Sequence, residues 1–130
     1  MTPGPLNRIL YVEDEEDIQT VAKIALETLG GFTLRVCGSG AEALQEAPAF
    51  RPQLILLDVM MPGMDGPSTL KSLRTLPGLE NIPVVFMTAK VQPGEIAHFL
   101  EMGAVEVIAK PFDPMTLSDK IQDIWKGGHG

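Results

Sequence analysis

Short, nearly unbroken apolar runs alternate along this chain with longer stretches in which apolar residues recur every three or four positions. The short runs are Arg8–Val12, Phe32–Cys37, Leu54–Leu57, Pro83–Met87 and Glu106–Ala109. They are compact, rich in strand formers and bounded by turn residues, so each predicts a strand. The run "LILL" has no polar alternation, which suits a strand buried on both faces of a parallel sheet. Between the runs, helical periodicity predicts five helices. The first is capped by Asp14 or a near neighbour, turns Ile18, Val21, Ala22, Ala25 and Leu29 inward, and stops at Gly30-Gly31. The second is capped by Ser39, places Ala41, Leu44 and Ala47 inward, and ends at Pro48. The third spans about Gly66 to Thr75 on Leu70 and Leu73. The fourth starts near Pro93, buries Ile96, Phe99 and Leu100, and stops at Gly103. The fifth runs from about Asp113 to Trp125 on Leu117, Ile121, Ile124 and Trp125. Strict strand-helix alternation predicts an α/β fold, a doubly wound five-stranded parallel sheet with helices on both faces and right-handed crossovers.

Composition changes this picture little. With 130 residues, 45% of them hydrophobic, the chain reads as one domain with a core of about 7–126, a short irregular leader and a short tail. The lone Cys37 excludes an internal disulfide framework and suits a reducing compartment; it reads as a small core residue. A net charge of −7 argues against direct binding of nucleic acid. No apolar run reaches the ~18 residues of a membrane span, and the leader lacks a signal-peptide core. The expected setting is the cytoplasm.

The chemistry lies just after the strands, where sites form in open parallel sheets. Glu13 and Asp14 follow the first strand, Asp58 the third, Thr88 the fourth and Lys110 the fifth. Crowded carboxylates repel one another, and a divalent cation removes that conflict. Mg²⁺ takes oxygen ligands, typically one or two carboxylates with waters and a phosphate. Asp14 and Asp58 would bind it directly, Glu13 through water, and the backbone carbonyl of Met60 would add a ligand. Thr88 and Lys110 then suit the oxygens of a phosphoryl group, and Asp58 remains as nucleophile. Each residue also has a plainer reading. The acids would complement a helix dipole, Asp58 and Thr88 would cap turns or helices, and Lys110 would be a solvated charge. Those readings do not explain why all of them collect on one edge.

The stretches "YVEDEED", "LILLDVMMPGMDG", "VVFMTAK" and "VIAKPF" occur in this order. On them the chain resembles the receiver domain of bacterial two-component response regulators, with its flavodoxin-like, chemotaxis-regulator-like fold, from about Asn7 to Lys126. The resemblance implies that Asp58 accepts a phosphoryl group from the phosphohistidine of a sensor histidine kinase or histidine phosphotransfer protein. It implies that Glu13 and Asp14 place Mg²⁺, and that Thr88 and Lys110 hold the phosphoryl oxygens. It implies a cis peptide at Lys110-Pro111. The phosphoprotein so formed would be a switch that assists only its own phosphorylation and dephosphorylation, with an unidentified downstream protein target and a possible homodimer. One position departs from the family: Val107 stands where the fifth strand usually carries Tyr or Phe, which puts the usual aromatic swing in doubt.

Three rival readings remain. Phosphatases of the haloacid dehalogenase type also form an aspartyl phosphate, but place the nucleophile after the first strand. A flavin module would need an amide- and hydroxyl-rich loop where this chain has "EDEED". A degenerate receiver used only for docking would have no need of the full acidic and cationic set, although Val107 keeps it open. Met60 and Lys90 flank the expected site, where they would tune phosphoryl lifetime in a direction the sequence does not set. Met60, Met61 and Met64 read as loop packing, His98 as a helix-surface residue, His129 as part of a glycine-rich tail and Trp125 as packing for the last helix.

Overall fold

The computed structural model describes residues 4–89 and 91–127; Lys90 and His129 lie outside the described residues. Five strands form one sheet: β1 (Arg8–Val12), β2 (Thr33–Cys37), β3 (Leu54–Asp58), β4 (Val84–Thr88) and β5 (Glu106–Ala109). All pairings are parallel, in the order β2-β1-β3-β4-β5. The helices are α1 (Glu16–Lys23, continued by a π-helical segment Ile24–Leu29), α2 (Gly40–Phe50), α3 (Gly66–Leu73), α4 (Pro93–Glu101) and α5 (Leu117–Lys126). The predicted doubly wound architecture is the one observed.

Side-chain alternation divides the sheet between two cores. Leu10, Val12, Ile55, Leu57, Val84 and Phe86 face the side covered by Ala43, Ala47 and Phe50 of α2, Leu70 and Leu73 of α3, and Phe99 of α4. Ile9, Tyr11, Leu54, Leu56, Val85 and Met87 face Ala22, Ala25 and Leu26 of the first helix and Leu117, Ile121 and Trp125 of α5. β3 and β4 are buried at every position, which is why they read as continuous apolar runs.

The helices differ from expectation where packing sets their phase. Val21 is 39% and Leu29 50% exposed, while Leu26 is fully buried. The π segment adds residues to the turn, so Gly30 rather than Leu29 meets α5: a Cβ there would lie 2.9 Å from that of Ser118. The side chain of Glu15, which occupies the cap position of α1, makes no capping bond. In α2, Ser39 caps as expected, its Oγ accepting from the Glu42 N–H at 3.1 Å. Pro48 does not end this helix; it sits inside, and the helix continues to the buried Phe50. The last turn is held because the Arg8 guanidinium donates to the Phe50 carbonyl and lies over the Phe50 ring. Burying Ala43 and Phe50 turns Ala41 outward. In α4 Phe99 is buried edge-on against Phe86, while Leu100 is 42% exposed. α5 begins at Leu117, a turn later than expected.

Candidate functional site

The chain turns from β1 outward to β2 and returns past β1 to β3, so the winding reverses between β1 and β3. In open parallel sheets such a reversal leaves a crevice at the carboxyl ends of the two strands. Glu13 and Asp14 leave β1 at that edge and Asp58 is the last residue of β3. Residues 9, 11 and 13 alternate onto one face of β1, as 54, 56 and 58 do on β3, so Glu13 and Asp58 point to the same side. Glu13, Asp14 and Asp58 each offer a carboxylate oxygen, and these oxygens lie within 4.8 Å of one another.

Lys110, just past β5, reaches the same place. Its Nζ donates to Glu13 Oε1 at 2.7 Å and to Asp58 Oδ1 at 3.0 Å. Its backbone N–H donates to the Thr88 carbonyl at 2.9 Å, fastening the end of β5 to β4. The Lys110-Pro111 peptide is cis, as the resemblance implied. Thr88 is buried at the end of β4, in register with Ala109 and one residue beyond the partner of Asp58. Met60 lies in the loop after β3 with an exposed side chain. The loop closes tightly: Val59 N–H donates to Met87 O at 3.1 Å, and Gly66 N–H to Val59 O at 2.9 Å. A Cβ on Gly66 would lie 2.6 Å from the Asp58 carbonyl oxygen, so the start of α3 abuts the backbone of Asp58.

Electrostatics follow from this crowding. Burial pushes the Asp58 carboxyl up to about 6, and the charges of Glu13 and Asp14 add to the rise, while the bond and charge of Lys110 pull back. Burial works against the Lys110 ammonium, but its bonds to Glu13 and Asp58 outweigh that and raise its pKa. Among the described residues, three acids share one cation there, so negative charge is in excess. The donor set fits a hard divalent cation. Ligand distances of about 2.1 Å separate neighbouring oxygens by about 3–4 Å, and the carboxylate oxygens already lie within 4.8 Å of one another.

Glu13 departs from expectation in one respect. Its carboxylate is fully buried and bonds directly to Lys110, to the Glu15 N–H at 3.2 Å and to the Tyr11 hydroxyl at 3.3 Å. Tyr11 was legible only as a strand residue. The signal that could have found it is period two, which puts side chains 11 and 13 on one face.

A family model described as "Response regulator receiver domain" matches residues 9–122. The chain belongs to the response regulator receiver domain family. Receiver domains are the signalling switches of two-component phosphorelays, and the acidic pocket is the place at which the family implies a divalent metal. This receiver is 37% identical over 115 residues to the DNA-binding response regulator MtrA of Mycobacterium tuberculosis, covering 88% of this chain and 49% of that protein. It is 36% identical over 117 residues to the alkaline phosphatase synthesis transcriptional regulatory protein PhoP of Bacillus subtilis, covering 90% and 48%. The chain thus spans about half the length of these relatives. Among solved structures, the chemotaxis response regulator CheY4 of Vibrio cholerae superimposes with a TM-score of 0.84 at 28% identity, over 92% of this chain and 99% of that one. Among the described residues, no helix is long and apolar enough to cross a membrane.

Proposed function

We propose that this receiver, one unit with its core at about 7–126, takes a phosphoryl group onto Asp58 from the phosphohistidine of a sensor kinase or phosphotransfer protein. An Asp58 carboxylate oxygen attacks phosphorus, the phosphorus–nitrogen bond to the donor imidazole breaks, and the electron pair returns to that ring. Lys110 moves from its carboxylate partners onto the phosphoryl oxygens, and the Thr88 hydroxyl donates to another of them. Asp14 and Asp58, with Glu13 through water and the Met60 carbonyl, would hold Mg²⁺. When bound, it supplies positive charge against the transferring phosphoryl group.

The observation that carries this reading is the Lys110 Nζ bonded at once to Asp58 and Glu13, beside a third carboxylate. Transfer asks for a nucleophile, a cation beside it and a place for a second cation, and the groups at the carboxyl edge suit all three. A protein donor is supported by an apolar cleft of about 420 Å³ opening beside Lys110, walled by Ile18, Val21, Pro111 and Phe112. The output would be a changed affinity for a protein target in the cytoplasm, with self-association as one form of it. With a net charge of −7, nucleic acid is outside the proposal.

Incubation with Mg²⁺ and acetyl phosphate, followed by intact-mass measurement, tests the assignment. The expected result is one phosphate adduct on the wild type, none on Asp58→Asn, and none after chelation. An equal adduct on both proteins would remove Asp58 from its role. No adduct on the wild type, even with a phosphorylated histidine donor, would favour phosphorylation-independent docking, the reading that Val107 keeps open.

A further inference from the structure

Tyr11 is the only tyrosine of the chain, and its side chain is fully buried. A phenylalanine would fill the same place between Ile9, Leu56 and the first helix without bringing a hydroxyl into the core. A hydroxyl buried without a partner costs about 1–3 kcal/mol, so its partner matters. Among the described residues that partner is Glu13: the phenol O–H donates to Oε1 at 3.3 Å. A phenol carries its proton at neutral pH, so against the Glu13 carboxylate it is the donor.

An ionised carboxylate has about four lone-pair sites. On Glu13, Oε1 accepts from both Lys110 Nζ and the Tyr11 hydroxyl, and Oε2 accepts from the Glu15 N–H. Three donors, two flanking Glu13 in its own stretch and one from the end of β5, therefore fix the orientation of the group and leave one site, on Oε2, for a metal's coordination sphere. The partners also differ in permanence. Lys110 has a second task at Asp58, and on the proposed reading it turns to the phosphoryl oxygens. Among the described residues, Glu13 would then lose its only cationic donor while remaining buried. The Tyr11 hydroxyl belongs to a fully buried strand residue and has no second partner among the described residues.

We propose that Tyr11 is a positioning residue of the phosphoryl-transfer site: its hydroxyl holds the Glu13 carboxylate in its metal-facing orientation and keeps it paired when Lys110 leaves. This rests on the reading of Glu13 as a metal-site carboxylate. Groups that orient a metal's ligands are distinguishable from packing residues because their effect passes through the ligand.

The test is a double-mutant cycle on metal affinity. Free Mn²⁺ is counted by electron paramagnetic resonance during titration of wild type, Tyr11→Phe, Glu13→Gln and the double variant. Tyr11→Phe keeps the ring, so its thermal midpoint is expected to stay near that of the wild type. Its Mn²⁺ affinity is expected to fall roughly tenfold, the lower end of the loss when an outer partner of a ligand is removed. In the Glu13→Gln background the same change is expected to have less than about a twofold effect, because the group it acts through is gone. Equal affinity of Tyr11→Phe and wild type would overturn the inference. So would a tenfold loss that persists beside Glu13→Gln, since Tyr11 would then act elsewhere. Either result leaves the Asp58 assignment standing if the wild type still forms its phosphate adduct. Absence of both adduct and Mn²⁺ binding in the wild type would remove the underlying reading instead.

Discussion

Asp58 is the residue on which burial and charge conflict most directly. Its carboxyl is raised from 3.8 to about 6 by burial and by its acidic neighbours, despite the ammonium of Lys110. The sign of the resulting pH effect is fixed. Between those two values the folded protein holds a proton that the unfolded chain has released, so folding is favoured by protonation. In metal-free protein, the contribution from Asp58 is present in full below about pH 4 and is lost as pH rises through about 6. The loss is on the order of 1–2 kcal/mol, after discounting for solvent screening. Urea unfolding in chelator, below and above this window, should show the wild type losing stability relative to Asp58→Asn. Asn has no charge to bury, so the variant should be the more stable protein at neutral pH. Equal pH dependence of the two proteins would mean that Asp58 is better solvated than its surroundings indicate.

Among the elements, the first helix and the start of α3 are set by close approach rather than by local preference. Gly30 has an ordinary φ of −89°, so it is retained for space and not for conformation. An added Cβ would meet the Leu26 carbonyl oxygen at 2.8 Å and Ser118 Cβ at 2.9 Å. Gly30→Ala should therefore destabilise the fold by about 1–3 kcal/mol, read as a lower denaturant midpoint at unchanged slope. Gly66 is similarly confined, but its neighbours are the Asp58 carbonyl oxygen and, at 2.9 Å, Val59 Cα. Gly66→Ala must displace either α3 or the end of β3. Its effect should reach the site, lowering the rate of adduct formation from acetyl phosphate as well as stability. Gly30→Ala should leave that rate nearly unchanged. The pair thus separates strain that reaches the site from strain that stays in the scaffold.

The molecule as a whole carries a net charge of −7, and three of its carboxylates cluster at one edge of the sheet. Among the described residues, three carboxylates and one ammonium are held there by two apolar cores that cannot yield without cost. A cation that binds only the folded state stabilises it by mass action. At one hundred times its dissociation constant the gain is about 2.7 kcal/mol, or roughly 10 °C in melting temperature for a chain of this size. Mg²⁺ should raise the melting temperature of the wild type by an amount that saturates and is reversed by chelation. Asp14→Asn should lose most of this increment while melting normally without metal, since Asp14 is only half-buried. An equal shift in both proteins would place the cation elsewhere.

The sequence by itself determined the order of elements, the parallel sheet and the residues that stand just after each strand. These follow from local causes: period two against period three to four, caps, and Gly or Pro at turns. From these alone Glu13, Asp14, Asp58, Thr88 and Lys110 could be placed on one edge. The tertiary structure decided how the charges there are shared. Lys110 and Glu13 are 97 positions apart, and their direct contact depends on how far β5 and β1 reach, which no local pattern encodes. The same holds for the Tyr11 hydroxyl, read in sequence as apolar strand filling. It holds too for helix phase: Leu29 and Leu100 fit a helical stripe but face outward, because Gly30 takes the contact with α5 and Phe99 the contact with Phe86. Pro48 breaks a local rule, yet the helix continues, because burying Phe50 and pairing its carbonyl with Arg8 outweigh one lost backbone bond. Periodicity fixes which residues can share a face; the neighbour across the interface decides which of them do.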